Sequence, residues 1–193
     1  MKRIRLKTVA CVVVSTMLTL AIATPAFGYA KAGWQMDSQL WYRPQVDFTD
    51  TSREDFRTAM STWNQLLPEW RRLCFDNTSH YLTTYPTKDG LNSIYKTYSG
   101  GNNYVAQNNI WYLTSSKNVT ESDIDINANY SWWNGAHPGC VDVRSVMLHE
   151  LGHSVGLHHS EDASAVMYYA TYMNSTKWSL TNDDINGVNA IYG

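Results

Sequence analysis

The chain has 193 residues, of which 44% are hydrophobic and 17% charged, with a formal net charge of −2. That near-neutral balance carries no sign of the basic patch that nucleic-acid binding leaves, so no nucleic-acid partner is expected. Eight tryptophans and thirteen tyrosines supply enough rings to fill a core and to line a groove as well.

Taken in order, Met1 to Lys7 is a basic stretch and Val9 to Ile22 an apolar run, the pattern of a signal peptide over residues 1–30. Small residues at Ala26 and Gly28, or at Gly28 and Ala30, offer two cleavage points, so the mature chain is expected to begin near Tyr29 or Lys31. The run is shorter than the ~20 residues that span a bilayer comfortably. A secreted, extracellular protein is therefore expected, with no membrane contact after cleavage and one domain over residues 31–193, long enough to bury a core. Cys11 leaves with the leader. Cys74 and Cys140 remain as an even pair in an oxidising compartment, and a disulfide between them is expected.

Gln39 to Arg43 reads as a short extended segment. Ser52 with Asp55 resembles a capping box, and Phe56, Ala59, Met60, Trp63 and Leu67 then recur at helical spacing until Pro68 stops them. Leu73 to Phe75, Leu91 to Tyr95 and Tyr104 to Leu113 are predicted strands, with a Gly and Asn cluster at Ser99 to Asn103 marking a loop. Asp123 to Asn127 alternates polar and apolar, which suggests a half-buried strand with both aspartates on one side.

The most informative residues follow. His149-Glu150-Leu151-Gly152-His153-Ser154-Val155-Gly156-Leu157-His158-His159 contains His-Glu-x-x-His-x-x-Gly-x-x-His. Residues four apart share one face of a helix, so His149 and His153 can turn ring nitrogens toward one ion. Gly156 falls where the helix must stop, because glycine takes the left-handed conformation at little steric cost. That turn delivers His159. Three neutral nitrogens leave the fourth position of Zn²⁺ to water, whose pKa the metal can lower to roughly 7, and Glu150 is placed to take the proton. Met147, Leu151 and Val155 fall on the opposite face, ready to pack on a sheet.

These residues resemble the metzincin metallopeptidases. Ala165-Val166-Met167-Tyr168 follows His159 at the separation seen in the matrixin branch, which makes Met167 the Met-turn residue. Ser160 after the third histidine is the matrixin choice, and Leu180 to Val188 resembles the matrixin closing helix. The resemblance covers about Ser122 to Gly193. It implies an α+β, zincin-like fold: a twisted mixed β-sheet with an antiparallel edge strand, an active-site helix and a C-terminal helix. It further implies a monomeric zinc endopeptidase with one catalytic zinc on His149, His153 and His159 and Glu150 as general base. The matrixin alignment favours His159 over the neighbouring His158, which is expected to be exposed. A protein or peptide substrate would lie extended along the edge strand, for which Tyr104 to Leu113 is the candidate. Residues Ala170 to Ser179 would shape the pocket for the residue after the scissile bond.

Matrixins often bind structural calcium, and Asp123 with Asp125 could hold such an ion, but a solvated sheet face is the simpler reading. With only His80 and His137 in the middle region, no second zinc site is expected. Tyr169 departs from the proline usual in matrixins. Astacin-like and serralysin-like metzincins have tyrosine there, so two readings stand: an aromatic wall of the cleft, or a displaceable fifth zinc ligand that becomes an oxyanion donor. Rival functions are a zinc hydrolase of cell-wall amide bonds, a proteolytically weak binding module of the same fold and a purely structural zinc domain.

Overall fold

Alternation along Leu40–Pro44 puts Leu40, Tyr42 and Pro44 inward, the period of two that a strand with one face on a core requires. This strand, β2, follows a two-residue strand β1 (Ala30–Lys31) and precedes helix α1 (Asp50–Asn64). The architecture is taken from a computed structural model that describes residues 28–81, 88–98, 101, 104–170 and 173–193. Most of the expected leader, Cys11 and part of the loop expected over Ser99 to Asn103 lie outside the described residues. Helix α1 starts earlier than the Ser52 box suggests: Thr49 is the cap, its side chain accepting from the Ser52 N–H, while Ser52 itself is buried. Phe56, Ala59, Met60 and Trp63 form its inward face.

Four more strands, β3 (Leu73–Phe75), β4 (Asn92–Thr97), β5 (Ala106–Tyr112) and β6 (Val119–Asn127), complete a five-stranded sheet of order β3-β2-β4-β6-β5. All neighbours run parallel except β5, which pairs antiparallel with β6 and forms one edge. The expected mixed sheet with an antiparallel edge strand is what the chain forms. Two further short strands, β7 (Trp132–Trp133) and β8 (Val141–Asp142), pair in parallel and lead into helix α2 (Val143–Val155). Strand β9 (Leu157–His158) pairs antiparallel with β1, and helix α3 (Asn182–Tyr192) closes the chain. Among the described residues no helix is long and apolar enough to cross a membrane.

The core lies between the sheet and helices α1 and α2. Ile94, Ile124 and Ile126 meet Met60, Trp63, Met147, Leu148 and Leu151 in one apolar cluster. Trp63 keeps its buried indole N–H satisfied by donating to the Leu148 carbonyl at 2.8 Å.

Two expectations need correction. Asp123 and Asp125 do share one side of β6, but that side is not solvated, and both are buried. Asp123 accepts from the Ser93 N–H, and Asp125 accepts from the hydroxyls of Thr97 and Tyr104. Ser93 and Thr97 of β4, together with Tyr104, supply the donors, so the carboxylates are used as internal acceptors. The Cys74–Cys140 disulfide is not formed either. Both are free thiols. Cys74 sits on β3, at the opposite sheet edge from β5, whereas Cys140 precedes β8 with its Sγ 3.4 Å from His137 Nδ1. A bridge needs Cα atoms within about 7 Å, and an even count of cysteines says nothing about which elements carry them.

Candidate metal centre

Helix α2 begins where Asp142 caps it, accepting from the Ser145 N–H at 2.8 Å, and ends where Gly156 takes φ +105°. A side chain at Gly156 would be strained, and its Cβ would also stand 2.6 Å from the Trp34 carbonyl oxygen. The turn sends the chain into β9 and returns His159 to the helix. The ring centroids of His149, His153 and His159 then form a near-regular triangle, with separations of 4.9, 5.2 and 5.0 Å. One ligand nitrogen from each lies within 4.8 Å of the others, so the three can share one ion. Among the described residues this is the one cluster of that kind. His158 and His159 are both exposed, and what sets His159 apart is that its ring nitrogen joins those of His149 and His153.

Backbone carbonyls fix two of the rings. Nδ1 of His149 donates to the Val166 oxygen at 2.9 Å and Nδ1 of His153 to the Leu157 oxygen at 2.8 Å. A carbonyl only accepts, so the hydrogen is on Nδ1 and the Nε2 lone pair is left for a metal. Burial, reinforced by the neighbouring ring His153, pushes His149 down to about 3. Burial also takes His153 down to about 4 and lowers His159, with the nearby histidines contributing to both. Neutral imidazole is the ligand form, and these rings are neutral at pH 7. The donor set therefore fits a borderline-soft dication such as zinc.

Glu150 is buried at the same cleft, and burial pushes its carboxyl up to about 8, with the Asp125 charge adding to the rise. A dication held by the three histidines acts in the opposite direction, favouring the carboxylate.

Beneath the histidines lies the turn around Met167. Gly152 makes room for it: a Cβ there would come 2.2 Å from the Met167 Sδ and 2.8 Å from the Trp63 ring. Met167 is buried, and its N–H and that of Val166 both donate to Asp184 at 3.0 Å. Asp184 also completes a capping box with Thr181 at the start of α3. The Ser160 hydroxyl donates to Asp183 at 2.7 Å and its N–H donates to the Met167 carbonyl, tying the residue after His159 to the same turn.

A cleft of about 580 Å³ opens over the triad. One wall is β5, whose outer edge has no strand partner among the described residues. Asn108 on β5 donates to the Glu150 backbone oxygen at 2.7 Å and to Ser154 Oγ at 2.8 Å, locking the edge strand to α2. Behind it, Tyr42 donates its hydroxyl hydrogen within a buried group of Ser122 and Ser154. The other wall carries Tyr168, Tyr169 and Lys177. Tyr169 is 66% exposed, and its ring lies 4.5 Å from that of Tyr168.

All expected site residues thus border one cleft or its floor except the two cysteines. Sequence reasoning missed Asp184, Asn108 and Trp34, whose indole donates to the His153 carbonyl at 2.8 Å. Only Asp184 had a local signal, the Thr181-x-x-Asp184 spacing at a helix start.

Comparison with known proteins agrees with this geometry. The family model described as matrixin matches residues 34–193. The chain is 26% identical over 169 residues to metalloendoproteinase 1 of Glycine max, covering 83% of this chain and 52% of the relative. It is 30% identical over 145 residues to metalloendoproteinase 1-MMP of Arabidopsis thaliana, 72% of this chain and 37% of that one. Over 48 residues it is 56% identical to interstitial collagenase of Oryctolagus cuniculus, 25% of this chain and 10% of the relative. The chain spans about half the length, or less, of these curated relatives.

Proposed function

The chain belongs to the matrixin family, and on that premise we propose that it is a zinc-dependent endopeptidase acting outside the cell. The observation that carries this reading is the convergence of three neutral imidazoles beside a buried carboxylate, in a cleft walled by an open strand edge. His149, His153 and His159 hold the zinc. When bound, the metal supplies Lewis acidity, which polarises a carbonyl and acidifies water.

The chain's own groups do the rest. Substrate lies extended against β5, pairing with its free backbone N–H and C=O groups, so that binding depends only partly on side chains. Glu150 takes the proton of the attacking water on its carboxylate and delivers it to the leaving amine. Asn108 holds β5 at a fixed distance from α2, so the substrate backbone and the Glu150 carboxylate keep one relative position. The side chain after the scissile bond enters the part of the cleft beside His149, bounded by Val146, Tyr168 and Lys177.

Export through a leader is part of the proposal. Tyr29 and Ala30 belong to the folded domain: the Tyr29 N–H donates to Asp183 at 2.9 Å and Ala30 pairs with His158. Cleavage after Gly28 retains both contacts, whereas cleavage after Ala30 removes them. N-terminal sequencing of the secreted protein should read Tyr29 first, and a start at Lys31 would contradict this.

Incubation of the purified protein with an unfolded protein and with peptidoglycan, with and without chelator, separates the readings. Chelator-sensitive cleavage of the protein alone is expected. Cleavage of peptidoglycan alone would transfer the assignment to a cell-wall hydrolase.

A further inference from the structure

Among the described residues lining the cleft, Lys177 is the one lysine or arginine. Its backbone N–H donates to Ser145 Oγ at 2.7 Å, which holds it opposite the first turn of α2. Its ammonium donates to the carbonyls of Ala163 and Ala165 at 2.8 and 2.7 Å and stands 5.1 Å from the centre of the Tyr168 ring. An ammonium has three hydrogens, so one remains to be offered. Carbonyls accept hydrogen bonds without cancelling charge, and no carboxylate of the described residues lies within ion-pairing distance. Burial lowers the Lys177 pKa from its ordinary value, while Asp184 and Asp162 act from farther off to raise it.

Apolar side chains are available beside this cation. Val146, Val166, Ala170 and Tyr168 line the same cleft as Lys177. Such a sleeve accommodates methylene groups along its walls, and a cation with a spare hydrogen favours a carboxylate at the tip. We propose that Lys177 selects substrates with an acidic side chain, glutamate before aspartate, at the residue following the scissile bond. The preference for glutamate rests on length, since its extra methylene reaches farther into the sleeve. This inference depends on the endopeptidase reading above and adds the substrate class to it.

A plainer role is available to Lys177, namely pinning the Ala163–Ala165 carbonyls that lead into the Met167 turn. A pin affects every substrate alike, whereas a selector changes ratios. The test therefore uses the full zinc-loaded protein and peptides that differ only in Glu, Gln, Leu or Lys after the cleaved bond. Glu should exceed Gln in kcat/KM by about tenfold or more, since a charge-assisted contact is asked to supply only that factor. Lys177→Arg should keep the Glu to Gln ratio above one. Lys177→Met should bring the ratio to about one whatever the absolute rates. Wild-type protein that cleaves Glu and Gln peptides equally would overturn the inference while leaving the endopeptidase reading in place. A Lys177→Met variant that keeps the wild-type ratio would also overturn it. Cleavage of no peptide alongside cleavage of peptidoglycan would remove both readings together.

Discussion

Tyr169 shows how a single side chain divides two mechanisms. Its exposure and its contact with Tyr168 support the reading as an aromatic wall of the cleft. Tyr169→Phe keeps that surface and deletes only the hydroxyl, so kcat should stay within about twofold, whereas loss of an oxyanion donor typically costs ~10²-fold or more. Steady-state kinetics decide it. Titration of the buried groups gives a second expectation. His149 and His153, held near 3 and 4 against an ordinary 6.5, contribute stability that is complete above pH 6.5 and is lost as pH falls toward those values. Glu150 runs the other way. With its value raised from 4.5 to about 8, its contribution is complete below pH 4.5 and is lost as pH rises through 8. Metal-free protein should therefore melt highest near pH 6.5, and Glu150→Gln should abolish the decline between pH 6.5 and 8. An identical decline in the variant would show that another group causes it.

At the level of elements, α2 and the turn beneath it act as one unit because α3 holds them together. Asp184 collects the N–H groups of Val166, Met167 and Thr181 on one buried carboxylate. Asp184→Asn is nearly isosteric but turns an amide toward N–H donors. It should lower stability by about 2 kcal/mol or more and weaken zinc binding, because the Val166 carbonyl that orients His149 belongs to the same turn. Calorimetry and metal titration of the variant check this, and unchanged zinc affinity would separate the turn from the site. Helix α2 was readable because histidines at i and i+4 and a terminal glycine are local signals. The partner of Asp184 was not, since Met167 is bound to it by folding alone. The two-residue strands β1, β7, β8 and β9 carry too few residues for any period to show. Along β6 the alternation was legible, but the donors to its acidic face come from residues such as Ser93, Thr97 and Tyr104, which no pattern within the strand announces.

For the whole molecule, the sheet and two helices form a single core, and the cleft lies where α2 meets the edge strand. The mixed sheet and its open edge were legible once the resemblance supplied an outline, whereas the unpaired state of Cys74 and Cys140 was not, because cysteine count is blind to the placement of β3 and β8. What the fold positions, on this account, is one carboxylate beside one metal. The most direct measurement compares wild-type protein with Glu150→Ala for zinc content and for cleavage of an unfolded protein. The variant should keep its zinc and its melting curve while proteolysis falls by at least ~10²-fold, the lower end of what general acid and base catalysis contributes. Near-normal turnover by zinc-loaded Glu150→Ala would contradict the account.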